Sequence, residues 1–260
     1  MNFINKFKSP NFSSRKGKKI LYVIIHYTAL KNYKEAISYL CDVRNKVSSH
    51  YLISQKGEIF NLVKENKRAW HAGLSYWSGY NDINSISIGI ELDFSKNKQN
   101  SNFTVKMLNS LEILLNKLKS KYKIKEENIL GHSDIAPFRK KDPGPKFPWK
   151  KITKVHKNIS EIKKNNFQIN LFKKWLDKNN IISNKQKAIF ILGCIGYQTK
   201  LANKKNYYFK KLLIAYQSHF VQNNVTGKID SATLNYLLIH FLRNSLTKNK
   251  KNLLAKLMMR

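Results

Sequence analysis

Ile20-Leu21-Tyr22-Val23-Ile24-Ile25 is an unbroken apolar run that ends on His26. Its β-branched and aromatic content, with no polar alternation, is the pattern of a strand buried on both faces. Ser87-Ile88-Gly89-Ile90-Glu91-Leu92 reads the same way, with one carboxylate near its end. Between the two, Tyr33, Ala36, Ile37 and Leu40 recur at helical spacing, and Tyr51–Ser54 and Ile59–Val63 flank Gln55-Lys56-Gly57-Glu58 as a hairpin. Farther on, Val105, Leu108, Leu111, Leu115 and Leu118 line one helix face behind Thr104, a residue type suited to the N-cap. Ile129-Leu130-Gly131 then leads into a Pro/Gly-rich loop running from Asp134 to Trp149. Strands alternating with helices predict an α/β domain over residues 19–160, a mixed central sheet flanked by helices.

The remainder reads differently. Residues 1–18 are basic and contain Pro, Ser and Gly, which predicts a flexible arm. Residues 161–175 are rich in Lys and Asn and are expected to be a connector. A small all-α domain is expected over 176–245, with helices at 185–195, 206–221 and 231–243, and a basic tail over 246–260. The arm lacks the apolar core of a signal peptide, which gives no support for export. No stretch approaches the 18 or so apolar residues of a transmembrane helix.

Of 260 residues, 49 are Lys or Arg and 15 are Asp or Glu, a formal charge of +34. The hydrophobic share is 42%, enough for a packed core, so wholesale disorder is excluded. The charge predicts salt-sensitive adhesion to polyanions. However, the excess is spread along the chain and travels with Asn and Ile, as in AT-rich coding. No nucleic-acid-binding motif accompanies it. The two cysteines, Cys41 and Cys194, exclude a disulfide framework and a thiolate zinc knuckle.

The chemistry-bearing residues sit at the ends of the apolar runs. His26 closes the first, His132 follows Ile129-Leu130-Gly131, and Asp142 lies in the loop beyond. Two imidazoles and a carboxylate, with a fourth position open, make up a catalytic zinc site. Glu91 inside a buried run is costly unless it has a purpose. It is either a general base with a raised pKa or the partner of one of the many lysines.

Taken in order, Val23-Ile24-Ile25-His26-Tyr27-Thr28, Ser49-His50-Tyr51-Leu52-Ile53 and Ala69-Trp70-His71-Ala72-Gly73 precede Ser87–Leu92. Gly131-His132-Ser133-Asp134-Ile135-Ala136-Pro137 and Arg139-Lys140-Lys141-Asp142-Pro143-Gly144-Pro145 complete the set. Together these segments resemble the zinc-dependent N-acetylmuramoyl-L-alanine amidases of the AmpD/AmiD type, whose fold is shared with peptidoglycan recognition proteins. The resemblance implies one Zn²⁺ per chain, bound by His26, His132 and Asp142. It also implies Glu91 as the catalytic carboxylate and Lys140 as the cation facing the oxyanion. The implied reaction is hydrolysis of the amide between N-acetylmuramic acid and L-alanine in peptidoglycan or muropeptides. The alternative is a non-catalytic recognition protein on the same fold.

Other residues carry two readings each. His71 either lines the substrate groove or fixes its loop by a hydrogen bond. Trp70, Tyr76 and Trp77 offer rings to a sugar, with core packing expected for at least one. Arg139 faces a stem-peptide carboxylate or solvent. His50 is expected to be structural. Asp134 either orients a metal-binding imidazole or caps its loop. Residues Ile214–Phe220 and Val225–Leu234 resemble the small three-helix peptidoglycan-binding module, the alternative being a generic helical bundle. A wall-binding unit points to the cell envelope while the missing export signal points to the cytoplasm, and the sequence leaves oligomeric state open.

Overall fold

A computed structural model of the chain describes residues 3–95, 102–155 and 166–247. The chain divides into two compact units, Met1–Tyr76 with Tyr80–Pro148, and Trp77–Gly79 with Trp149–Arg260.

The first unit is built on a mixed six-stranded sheet. Its strands are β1 (Phe3–Ile4), β3 (Tyr22–Tyr27), β4 (Tyr51–Ile53), β5 (Ile59–Asn61), β7 (Ser87–Leu92) and β8 (Ile129–Gly131), in the order β1-β5-β4-β7-β3-β8. A separate antiparallel pair joins β2 (Phe12–Ser14) to β6 (Lys67–Ala69). β4 and β5 form the expected antiparallel hairpin, whereas the β4–β7, β7–β3 and β3–β8 pairs are parallel. Val23, Ile24, Ile25, Ile88 and Ile90 are fully buried in the two central strands, which is why those runs carry no polar alternation.

Helices flank the sheet. α1 (Tyr33–Cys41) buries Ala36, Ile37 and Leu40 against Leu52, Phe60 and Leu62, and Asn32 caps it by accepting from Glu35 N. α2 (Val105–Tyr122) buries Met107, Leu111, Leu114, Leu115 and Leu118, with Thr104 as its N-cap. A short helix, α3 (His132–Ile135), follows β8 directly.

Residues 3–18 are not a flexible arm. Phe3 and Ile4 extend the sheet beside β5, and Phe12–Ser14 pair with β6. Asn11 Nδ2 donates to the Asp42 and Val47 carbonyls, and Ser9 Oγ donates to the Leu40 carbonyl. Arg15 is buried, its guanidinium donating to the carbonyls of Glu65, Asn84, Ser85 and Ser87 at 2.7–3.0 Å. The polar side chains that suggest a solvated segment are used up by backbone acceptors far along the chain.

The second unit is helical: α4 (Trp149–Ile152), α5 (Asn166–Lys178), α6 (Asn184–Ile195), α7 (Lys200–Lys204), α8 (Asn206–Phe220) and α9 (Ser231–Thr247). The last three expected helices are present, within a residue or so except at the end of α9. The expected connector is helical from Asn166 onward. Ile169, Phe172 and Leu176 fall on one face and are buried, and Phe172 stacks on Phe241 at 4.4 Å. Lys and Asn filled the other positions and hid that stripe. Residues 161–165 of the connector and 248–260 of the tail lie outside the described residues. No helix among the described residues is long and apolar enough to cross a membrane.

Candidate metal centre and active site

Parallel pairing brings the strand ends together. His26 on β3 is in register with Glu91 on β7, and β8 on the other side of β3 delivers His132 at its own C-terminal end. Asp142 joins from the following loop, held by Ser133 N donating to its carbonyl at 2.9 Å. Ligands of α/β folds collect at such ends because the loops there are free of the sheet's hydrogen bonding.

Three donor atoms converge. His26 Nδ1 lies 2.9 Å from His132 Nδ1 and 3.2 Å from Asp142 Oδ2, and His132 Nδ1 lies 3.0 Å from the same oxygen. All three residues are buried, and this is a group able to hold a metal ion. His132 Nε2 faces the Ala72 carbonyl at 3.1 Å and must donate to it, which leaves Nδ1 as a lone pair. Neutral imidazole nitrogens and an ionised carboxylate are the protonation states that ligation requires. Burial, reinforced by neighbouring His132, pushes His26 down to about 4. Burial opposes ionisation of Asp142, but His132 and His26 hold it well below the usual carboxylate range. The donor set fits a divalent cation.

Beside this group a cavity of about 480 Å³ opens, lined by Glu91, Lys140, Arg139, Trp70 and Tyr27 among others. Glu91 Oε2 is buried without a hydrogen-bond partner among the described residues. Burial, and next the charge of Asp142, push its carboxyl up to about 8, Lys140 acting in the opposite sense. Lys140 N donates to the Ala136 carbonyl at 2.9 Å, which anchors its backbone two residues ahead of Asp142.

A family model described as N-acetylmuramoyl-L-alanine amidase matches residues 16–145, half of the chain. This chain belongs to that amidase family. N-acetylmuramoyl-L-alanine amidase AmiD of Escherichia coli is 40% identical over 147 residues, a match spanning 52% of this chain and 52% of AmiD. The 1,6-anhydro-N-acetylmuramyl-L-alanine amidase AmpD of Haemophilus influenzae is 34% identical over 165 residues, 56% of this chain and 88% of AmpD. Among solved structures, E. coli AmiD in complex with anhydro-N-acetylmuramic acid-L-Ala-D-γ-Glu-L-Lys aligns over 92% of this chain and 93% of its own. Its TM-score is 0.69 and its identity 27%. AmpDh3 of Pseudomonas aeruginosa aligns over 95% and 99%, with a TM-score of 0.70 and 26% identity.

Within this amidase-family chain the remaining expected residues fall as follows. Trp70 lies on the cavity wall, and its Nε1 donates to Ser13 Oγ at 3.1 Å. Arg139 also lies on the wall, and its Nη2 donates to the carbonyls of Ala72 and Leu74. Trp77 is buried and packs edge-on against Tyr197. Asp134 Oδ2 accepts from Gly131 N at 2.7 Å, a loop cap. His50 is buried; its Nδ1 accepts from Gly89 N and its Nε2 faces the Lys67 carbonyl. Burial and the adjacent Arg15 push His50 down to about 3. His71 borders the cavity, but both ring nitrogens face protein: Nδ1 is 3.0 Å from His26 Nε2, and Nε2 is 3.2 Å from Ser87 Oγ. It thus keeps a place on the cavity wall while its ring ties the loop to Ser87 on β7 and reaches His26.

Sequence reasoning missed Arg15 and Ser87. Nothing local marks Arg15 among so many basic residues. Gly89 is the available signal for the other: a glycine inside a buried strand marks close approach, and a Cβ there would collide with the His71 ring.

Proposed function

We propose that this chain hydrolyses the amide bond between N-acetylmuramic acid and L-alanine in peptidoglycan or muropeptides, with one zinc ion held by His26, His132 and Asp142. One juxtaposition carries the reading: three converging donor atoms and a buried Glu91 carboxylate oxygen with no partner among the described residues all line one cavity.

Zinc held there supplies a Lewis acid for the scissile carbonyl and lowers the pKa of water from 15.7 to about 7. Glu91 accepts the proton of the attacking water and passes it to the departing alanine nitrogen. A carboxyl raised toward neutrality is suited to both steps. Lys140 turns its positive charge toward the oxygen that becomes anionic, a contribution of roughly 3–4 kcal/mol where such groups have been removed. Trp70 would offer an aromatic wall to the substrate, and Arg139, on the same cavity wall, would pair with a stem-peptide carboxylate. The muropeptide bound to E. coli AmiD supports this substrate class. For the helical unit we propose wall-polymer binding, which would raise the local substrate concentration.

The test is incubation of the zinc-loaded protein with defined muropeptides, with and without a chelator, read by mass spectrometry. Free stem peptide, abolished by chelation and restored by zinc, is the expected result. A folded, zinc-containing protein that binds muropeptide without cutting it would replace the hydrolase reading with recognition alone.

A further inference from the structure

His71 lines the cavity, but both of its ring nitrogens are engaged by protein. Ser87 Oγ donates its single hydrogen to the Ile83 carbonyl at 2.6 Å. Toward His71 Nε2, 3.2 Å away, that hydroxyl can therefore only accept, so the proton of the neutral His71 ring sits on Nε2. His71 Nδ1 is then an acceptor, and the atom it faces at 3.0 Å is His26 Nε2. His26 must carry its proton on Nε2 and present Nδ1 as a lone pair toward His132 and Asp142. The direction of the whole chain is set by a backbone carbonyl, which can only accept.

The relay is fixed in place at every link. Asn84 Oδ1 accepts from the backbone N–H groups of both His71 and Ala72, at 3.0 and 2.8 Å. Arg15 Nη2 donates to the Ser87 carbonyl at 2.7 Å. Gly89 leaves the space that the His71 ring fills.

We infer that His71 is a positioning residue for the metal centre: through the relay Ile83–Ser87–His71–His26 it fixes the His26 tautomer and thereby sets zinc affinity rather than substrate affinity. The inference rests on the zinc-centre reading above. Partners of ligating histidines are typically worth about 10- to 100-fold in metal affinity, and that is the loss expected here.

Two near-isosteric substitutions separate this role from packing. His71→Asn places an amide oxygen near the former Nδ1, where it can still accept from His26. His71→Gln places its amide near the former Nε2, so it reaches Ser87 but offers His26 nothing. Zinc affinity is measured by competition with a chromophoric chelator, alongside KM for a soluble muropeptide at saturating zinc. The expected result is affinity near wild type for His71→Asn, about 10- to 100-fold weaker for His71→Gln, and KM unchanged in both. Ser87→Ala, a smaller change, is expected to weaken zinc by a few-fold. In the zinc-free protein, nitrogen NMR is expected to show the His26 proton on Nε2. Equal zinc affinity in the Asn and Gln variants, or a raised KM with intact affinity, overturns the inference. A wild-type protein that holds no zinc overturns the zinc-centre reading itself, which is a separate outcome.

Discussion

Gln217 in the helical unit and Glu91 in the sheet unit are both polar groups inside a packed interior, and they are treated in opposite ways. Gln217 Oε1 accepts from the N–H groups of Thr226 and Gly227, and its Nε2 donates to the Lys228 carbonyl and Thr233 Oγ. Every hydrogen-bonding position is filled by protein, and the loop before α9 is stapled to α8 as a result. In the sheet unit Glu91 Oε2 has no partner among the described residues, and the Nδ1 atoms of His26 and His132 point at one another. Buried polar groups are normally satisfied. Gln217 is used up in architecture, whereas the open oxygen of Glu91 lies beside the converging donors, where the proposed chemistry enters.

The sharpest way to break that comparison is to remove a converging donor. Asp142→Ala is expected to lose zinc and reduce stem-peptide release to background, checked by metal analysis and mass spectrometry on the same sample. An Asp142→Ala protein that keeps both would place the metal elsewhere. Next in size is Glu91→Gln, which is expected to retain zinc while losing roughly 10²- to 10⁴-fold in kcat, the range of a general acid–base. Full turnover in that variant would move the proton transfer to another group.

Stability against pH sharpens the same contrast. In the zinc-free protein the Glu91 carboxyl stands at about 8, against 4.5 when unexposed to these surroundings. The folded state therefore holds its proton more tightly than the unfolded chain. This contribution is fully stabilising below pH 4.5 and is lost as the pH rises through about 8. The slope is at most about 1.4 kcal/mol per pH unit. Across this range the difference between the unfolding of zinc-free wild type and of Glu91→Gln should carry that slope, since the buried His26, His50 and His71, all lowered in the fold, add the same pH dependence to both. A parallel pair of curves would mean that Glu91 is ionised in the fold.

The smallest effect is expected in the helical unit. Gln217→Leu leaves two N–H groups, a carbonyl and the Thr233 hydroxyl without their partner, each worth about 1–3 kcal/mol where water cannot replace it. Thermal unfolding is expected to shift downward while release from a small soluble muropeptide stays unchanged. Loss of zinc in Gln217→Leu would show that the two units are not as separable as their chemistry.

Much of the sheet unit was legible. The runs ending at His26 and Leu92, the helix over Val105–Tyr122 and the turn at Gly57 follow from local periodicity and turn chemistry. Candidate ligands stood out because they terminate apolar runs. What the sequence could not supply was the use of polar residues whose partners are remote. Arg15 looked like one more solvated cation, yet its acceptors are carbonyls of Glu65, Asn84, Ser85 and Ser87. The helix from Asn166 was hidden for a related reason: its apolar stripe is short, and only contact with Phe241 and its neighbours shows that Phe172 belongs to a core.

By itself, then, the sequence determined where the central strands β3 and β7 and the helix α2 form and which residues stand at their ends, because periodicity and end signals act over a few residues. The tertiary structure decided which nitrogen of His26 faces the converging donors, which groups the His71 ring nitrogens meet, and that Glu91 Oε2 has no partner among the described residues. Those outcomes depend on the hydrogen-bond valence of buried groups. That valence is filled by residues 16 to 72 positions away, as in His71 with Ser87 and Arg15 with Ser87, and only the fold brings them within reach.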